Sequence, residues 1–294
     1  MDKIKDKIED LLYSDDSQNI ELAKQLAENL PDMKKYIGKL EKLAKQLNIN
    51  FIQLSQDDLR LSRKNLTTLP SEIGLLKHLE IIYLEHNRIT SLPKEIGDLK
   101  NLEYLCLKNN HITALPKEIG DLAKLENLDL EHNKLTSLPS ELGNLVNLKR
   151  LYLSNNNLTS LPKEIGNLKS LKVLRLNENK ITTLPKGIGK LLNLKWLRLN
   201  NNQLSKLPKE ICNLKNLKGL DLFNNQLVNL PKGFDKLCNL EKLDLENNEF
   251  TGLPKEIEKL ENLRIFLFQH DSLDWKEEDW KKSLWQNRQR DRLK

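Results

Sequence analysis

A single motif recurs along this chain at a fixed interval of 23 residues. A proline marks every copy, at Pro70, Pro93, Pro116, Pro139, Pro162, Pro185, Pro208, Pro231 and Pro254. One copy reads Leu79-x-x-Ile82-x-Leu84-x-x-Asn87-x-Ile89-x-x-Leu92-Pro93-x-x-Ile96-x-x-Leu99. A strict period over most of a chain indicates stacked copies of one small unit rather than an ordinary globular core. We therefore expect an extended array whose function depends on a repeated surface.

Each copy predicts one short strand followed by one short helical turn. Ile82 and Leu84 alternate with a period of two, so we expect their side chains to point inward from a strand. Pro93 suits the first position of a helix, and Ile96 and Leu99 follow it at helical spacing. The sequence therefore predicts a brief helical or 3₁₀ turn on the side opposite the strand.

Asparagine occupies one place of the motif in eight copies. Its members are Asn87, Asn110, Asn133, Asn156, Asn179, Asn202, Asn225 and Asn248. An amide inside a turn can satisfy backbone donors and acceptors that a non-helical turn leaves open. We interpret this column as scaffold rather than as a sugar or metal site.

The pattern L-x-x-L-x-L-x-x-N-x-L is that of leucine-rich repeats. The 23-residue form with L-P-x-x-I-G-x-L resembles the repeats of Ras-suppressor-like and plant intracellular Ras-group proteins, and it is similar to many bacterial leucine-rich repeat proteins. The resemblance implies an α/β solenoid, a horseshoe with a parallel β-sheet on its concave face and short helical or 3₁₀ turns on its convex face. It also implies that the asparagines form a buried ladder. Repeat class does not identify a binding partner, because fold and function vary independently.

The chain divides into three predicted segments. Residues 1–55 lack the repeat and form a helical N-terminal cap, with Asp16 as an N-cap and Pro31 interrupting the helices. The two apolar stripes of this cap are Ile20, Ala23, Leu26, Ala27 and Leu30, and then Met33, Ile37, Leu40, Ala44 and Leu47. Residues 56–274 are the leucine-rich repeat array of about ten strand segments. Residues 275–294 form a C-terminal capping helix with a basic tail, because an array needs caps over its outermost units.

Three tryptophans lie in this last segment, at Trp275, Trp280 and Trp285. They recur every five residues, so one helical stripe cannot hold all of them. Two interpretations stay open at this point. The tryptophans cover the last repeat, or at least one of them contacts a partner protein.

Charge and cysteine content limit the cellular compartments and the classes of partner that we expect for the protein. The formal charge of +6 is spread thinly, and only the stretch from Arg288 to Lys294 is plainly basic, whereas nucleic-acid proteins concentrate their basic residues on one face. The start of the chain shows no signal peptide, and there is no run of eighteen apolar residues. Cys106, Cys212 and Cys238 suggest no disulfide pair. We predict a cytoplasmic monomer that binds neither nucleic acid nor membrane; secretion by a non-classical or injected route remains an alternative.

Patterns typical of catalysis and metal binding are absent from the sequence. His86 and His132 occupy one column two repeats apart, about 10 Å by strand spacing, and Cys106 lies in a different row. A zinc site needs ligands roughly 2.0–2.3 Å from the metal. There is no glycine-rich phosphate loop, H-E-x-x-H or G-x-S-x-G. We predict that the protein is not an enzyme and has no cofactor, no metal and no catalytic residue.

Candidate binding residues come from the strand positions that do not repeat. These positions alternate with the core leucines, so they lie on the predicted concave face. The predicted protein-binding residues are Tyr83, Tyr104, Arg150, Tyr152, Arg175, Trp196, Arg198 and Phe223. Neighbouring strands lie about 4.8 Å apart, so side chains one repeat apart are in contact range. Tyr, Trp and Arg are enriched in binding hot spots; the alternative is a solvated surface with arginine–aromatic stacking.

These features together predict a non-enzymatic protein-protein interaction module that binds a protein partner along the concave face. A second hypothesis is a secreted or injected bacterial factor that binds a host protein. A third, which depends on the family resemblance, is a scaffold in small-GTPase signalling.

Overall fold

A computed structural model describes residues 2–14 and 16–268 of the chain. Its N-terminal part is helical, and each helix end has a local cause. Asp16 accepts a hydrogen bond from the backbone N–H of Gln18 at 2.8 Å, which caps the second helix. Pro31 opens the third helix, and Asn48 ends it in the left-handed conformation (φ 52°). The helices are α1 (Asp2–Leu12), α2 (Ser17–Ala27), α3 (Pro31–Leu47) and α4 (Phe51–Ser55).

The apolar faces of these helices form one buried cluster. Its members are Ile8, Leu12, Ala23, Ala27, Met33 and Ile37. One residue departs from the predicted stripe, because Leu26 is 42% exposed. Lys42 on α3 donates to Glu72 at 2.8 Å, so the helices contact the first 3₁₀ turn (Ser71–Leu75).

A polar and aromatic cluster lies where the helices meet the first repeat. The hydroxyls of Tyr13 and Tyr36 are 2.5 Å apart, and the ring of Tyr13 lies 4.1 Å from that of His78. His78 bonds through Nε2 to the carbonyl oxygen of Leu54 at 2.9 Å, while its buried Nδ1 has no partner within the described residues. Burial lowers the pKa of His78 and raises that of Tyr13.

Residues up to Lys134 include four parallel strands paired in chain order. These are β1 (Asp58–Arg60), β2 (Ile81–Tyr83), β3 (Tyr104–Cys106) and β4 (Asn127–Asp129). The register shifts by one 23-residue period per strand, so Leu59 pairs with Ile82 and Ile82 with Leu105. The central residue of every strand is buried, as the alternation predicts.

Residues from Leu135 to Phe268 repeat the arrangement with six more parallel strands. These are β5 (Arg150–Tyr152), β6 (Val173–Arg175), β7 (Trp196–Arg198), β8 (Gly219–Asp221), β9 (Lys242–Asp244) and β10 (Ile265–Leu267). Short 3₁₀ helices follow the prolines, at Lys163–Asn167, Lys186–Lys190 and Lys209–Asn213 for example. The predicted fold of parallel strands and short 3₁₀ turns is confirmed.

Proline lies just outside the helical turn rather than inside it. Pro93 has extended backbone angles (φ −69°, ψ 151°), and the 3₁₀ helix begins at Lys94. The Pro93 carbonyl accepts the first bond of the turn from Ile96 at 3.1 Å. Its ring therefore positions the turn as an N-cap, which corrects the expectation that it occupies the first helical position.

The asparagine column forms a hydrogen-bonded ladder. The side-chain oxygen of Asn110 accepts from the backbone N–H of Ile89 at 3.0 Å. Its amide donates to the carbonyls of Leu84 at 2.9 Å and Leu107 at 3.0 Å. Each ladder asparagine except the half-buried Asn248 is buried, so the column is scaffold, as predicted.

In the described ranges, none of the helices combines the length and the apolar character that crossing a membrane requires. The predicted capping helix with Trp275, Trp280 and Trp285 lies outside the described residues.

Candidate functional site

The first and third residues of each strand point away from the buried leucines. We call the surface they form on β5–β10 the open strand face; it belongs to the predicted concave side. Arg150, Val173 and Trp196 pair along one row of this face. Tyr152, Arg175 and Arg198 pair along the next row. Five predicted residues are therefore brought together on three neighbouring strands: Arg150, Tyr152, Arg175, Trp196 and Arg198.

Arginine–aromatic stacking occurs within this group. The guanidinium carbon of Arg175 lies 4.6 Å from the centre of the Tyr152 ring, and both side chains are half-buried. Such a contact contributes about 0.5–1 kcal/mol at an exposed site. Arg175 and Tyr152 therefore match the alternative interpretation, a surface with arginine–aromatic stacking. Arg198 on the neighbouring strand is exposed.

Trp196 lies across the next strand. Its indole covers Gly219, which is buried although it occupies an outward position of β8. A Cβ atom at position 219 would overlap the Cε3 and Cζ3 atoms of the indole, so this packing requires glycine. Lys242, one strand further on, places Nζ 5.9 Å from the centre of the Trp196 ring.

A recess of about 230 Å³ opens beside this indole, and we call it the Trp196 recess. Its lining comes from β7 to β10 and includes Trp196, Arg198, Gly219, Asp221, Lys242, Asp244, Ile265 and Leu267. The arginines of β5 and β6 are not part of this lining. The concavity therefore lies on the C-terminal side of the predicted binding centre.

Two carboxylates meet in the recess. Asp221 and Asp244 are register partners on β8 and β9, and both are half-buried. Burial raises the pKa of Asp221 even though Arg198 lies nearby. Burial, together with the charges of Asp221 and Glu246, raises the pKa of Asp244 to about 6.

The other predicted residues lie outside this recess. Tyr83 and Tyr104 contact each other with ring centres 5.4 Å apart, and the Arg60 guanidinium lies 5.9 Å from the Tyr83 ring. Burial raises the pKa of the neighbouring Cys106 thiol to about 11, so this thiol is protonated at neutral pH. Phe223 follows β8 and is half-buried, and its backbone N–H donates to Asp221 at 3.2 Å.

Metal-binding geometry is missing from the part of the chain that the structure describes. No three His, Cys, Asp or Glu side chains converge there in a way that could hold a metal ion.

Comparison with known proteins identifies the repeat. A leucine rich repeat model matches residues 57–112, 77–135 and 101–158, and a leucine-rich repeat region model matches residues 140–191 and 185–278. These matches overlap and cover most of the chain. The chain belongs to the leucine-rich repeat family.

Solved leucine-rich repeat structures resemble the chain over most of its length. A leucine-rich repeat protein of Leptospira interrogans is 36% identical, with 80% of this chain and 78% of that one covered and a TM-score of 0.54. The ectodomain of the Arabidopsis thaliana receptor kinase GASSHO1/SCHENGEN3, in complex with CASPARIAN STRIP INTEGRITY FACTOR 2, is 33% identical with a TM-score of 0.67. That alignment covers 76% of this chain but 29% of the receptor chain, so this chain matches less than a third of the receptor's length.

More distant relatives show the same fold. The functional domain of InlJ from Listeria monocytogenes is 23% identical, with 82% of this chain and 51% of that one covered and a TM-score of 0.66. No protein of curated function matches this leucine-rich repeat chain. Its function is therefore argued from the open strand face itself.

Within that face, sequence reasoning missed Gly219, Lys242 and the two aspartates as parts of one site. Gly219 is the available signal, because a glycine beside a tryptophan in the same strand row leaves space that an indole can fill.

Proposed function

We propose that this leucine-rich repeat chain is a non-enzymatic interaction module that binds a protein partner along the open strand face. The energetic centre comprises Arg150, Tyr152, Arg175, Trp196 and Arg198. One observation carries the proposal: large aromatic and arginine side chains gather on adjacent strands at positions free of any role in the core.

The chemistry of these residues favours a protein as the ligand. Tyr, Trp and Arg dominate the hot spots of protein interfaces because they combine large contact area with hydrogen bonding. The recess beside Trp196 adds concavity to an otherwise open strand surface. A related receptor ectodomain that binds a protein factor supports this use of the fold, although its partner is not transferred to this chain.

The test is an affinity pull-down with the full chain, followed by titration of the captured partner. Combining Trp196→Ala with Arg198→Ala should weaken binding by at least ~2 kcal/mol, which is about thirtyfold in Kd. The thermal unfolding of this variant must also be measured, because Trp196 packs on Gly219 and its loss could change stability as well as binding. Equal affinity of the variant and the original chain would refute the assignment.

A matched control combines Leu192→Ala with Lys206→Ala. Both residues are exposed and lie outside the strands, so their loss removes comparable side chains away from the open strand face. We expect unchanged affinity. A loss as large as that of the Trp196 and Arg198 variant would place the interface elsewhere.

We further propose that the protein works in a reducing cytoplasm. Cys238 is exposed and free, and Cys106 and Cys212 are buried and free. Free thiols of this kind are typical of reducing compartments. Recovery of the protein from the culture medium of intact cells would instead favour the exported-factor hypothesis, and capture of a small GTPase would favour the signalling scaffold.

A further inference from the structure

The Trp196 recess has one apolar wall and one acidic wall. The indole of Trp196 over Gly219 forms one side. Ile265 and Leu267 on β10 are 45% and 43% exposed at the other side, where they extend the apolar surface. Exposed aliphatic side chains beside a concavity are typical of binding surfaces.

The two aspartates of the recess are held in fixed positions. The Oδ1 atom of Asp221 accepts from the backbone N–H of Phe223 at 3.2 Å, and Oδ1 of Asp244 accepts from that of Glu246 at 3.0 Å. Each carboxylate is therefore oriented by the backbone that follows its strand, and its second oxygen takes no part in this bond. Across the described ranges, neither carboxylate has a salt-bridge partner.

Two cationic side chains lie near the recess, and neither forms a salt bridge with Asp221 or Asp244 in the described ranges. The ammonium of Lys242 lies over the Trp196 ring, and the Arg198 side chain is exposed to solvent. Arg198 lowers the pKa of Asp221, but the pKa of Asp221 and that of Asp244 both remain above their ordinary value. A cation that binds between two half-buried carboxylates stabilises their charged forms, because it offsets both their repulsion and their loss of hydration.

We propose that the Trp196 recess binds a lysine or arginine side chain from an extended segment of the partner protein. This inference rests on the proposed function and names the chemistry of its partner. The cation lies between Asp221 and Asp244, while its aliphatic stem packs against Trp196. An apolar residue next to it in the segment contacts Ile265 and Leu267.

Charge complementarity favours a basic segment as the ligand of the recess. The recess presents Asp221 and Asp244 with Glu246 close to them, and an acidic ligand would add a further negative charge to this group. A wholly apolar segment would cover the carboxylates without compensating them, which costs free energy. A basic side chain satisfies the acidic and the apolar wall together.

The experiment selects peptides from a random phage-displayed library on the full chain. We expect enrichment of peptides with a basic residue next to an apolar one. A fluorescein-labelled copy of one such peptide is then titrated by fluorescence polarisation. Asp221→Asn combined with Asp244→Asn should weaken its binding at least about tenfold, because charge-assisted hydrogen bonds are lost.

The control variant removes two negative charges elsewhere. Asp235→Asn with Glu258→Gln changes the net charge equally but lies in the 3₁₀ turns. We expect unchanged affinity. Equal weakening by both variants would mean that overall charge, rather than the recess, attracts the peptide, and this would overturn the inference.

Acidification provides a second readout. The pKa of Asp244 is raised to about 6, so lowering the pH from 7.5 to 5.5 adds a proton to this carboxylate in a growing fraction of the molecules and removes its negative charge. Affinity should fall over this range for the original chain and much less for the Asp221 and Asp244 variant. An affinity independent of pH in the original chain would contradict a carboxylate site.

The remaining outcomes separate this inference from the proposed function. Enriched peptides without basic residues, whose binding is lost in Trp196→Ala, would overturn the inference and leave the open strand face as the binding site. Absence of any enriched peptide would also overturn it, while the pull-down decides the proposed function independently. A further outcome is a dimer of the original chain, seen by sedimentation, that dissociates in the Asp221 and Asp244 variant. That result would overturn the inference, because the occupant of the recess would then be a second copy of the chain.

Discussion

Replacing Asn179 by alanine tests whether the asparagine column holds the repeats together. The side-chain oxygen of Asn179 accepts from the backbone N–H of Leu158 at 3.0 Å, and its amide donates to the carbonyls of Leu153 at 2.9 Å and Leu176 at 3.0 Å. Asn179 is 8% exposed, so water cannot readily replace these bonds.

The cost follows from which groups lose their partner. The carbonyl of Leu153 still accepts from Asn156 at 3.1 Å, and that of Leu176 still accepts from Asn202 at 2.9 Å. The N–H of Leu158 has no such substitute and becomes a buried unsatisfied donor. The orphaned N–H costs about 1–3 kcal/mol and each of the two lost amide bonds about 1 kcal/mol, so we expect a total of about 3–5 kcal/mol.

The assay is equilibrium urea unfolding followed by circular dichroism, with the free energy of unfolding compared between variants. Asn193→Ala is the matched control, because Asn193 is exposed and loses a single bond to the carbonyl of Lys169. We expect the control to cost less than about 1 kcal/mol. If Asn179→Ala costs no more than Asn193→Ala, the ladder does not stabilise the fold as reasoned.

Three further predictions concern other parts of the molecule. The pKa of His78 is lowered in the folded state, so stability should fall as the pH drops below about 6.5, and His78→Gln should weaken this dependence in urea titrations at several pH values. Gly219→Ala should destabilise the chain by about 1–3 kcal/mol, and less in a Trp196→Ala background, as a double-mutant cycle would measure. In the folded chain, mass spectrometry should find Cys238 labelled by maleimide well before the buried Cys106.

The fold could be predicted because one period repeats the same local evidence many times. A strand of three residues is a weak signal by itself, but Leu59, Ile82 and Leu105 are separated by identical intervals and therefore must be equivalent. The period also aligned the asparagines, while their burial as a ladder was implied by the family resemblance. Leu26 shows the limit of this reasoning, since it lies in a helix without repeats and is exposed there.

The candidate site could be predicted only in part. The rows of the open strand face follow from the period, so the neighbours of Trp196 and Arg198 were known in advance. The recess depends on the direction in which the indole turns and on the missing side chain of Gly219. The pKa of Asp244 depends on burial, which residue spacing does not contain.

The backward direction of the ladder has a consequence for how such a chain can change over time. Each asparagine binds the backbone of the repeat before it, as Asn110 does with Ile89 and Leu84. Along Leu135–Phe268 the ladder bonds therefore repeat from one junction to the next, and an in-frame gain or loss of one whole repeat there would preserve this pattern. The Trp196 recess is not preserved in the same way. It requires Trp196 on one strand, Gly219 and Asp221 on the next, and Asp244 on the one after that. Duplication or deletion of repeats would thus create new binding surfaces on an unchanged scaffold.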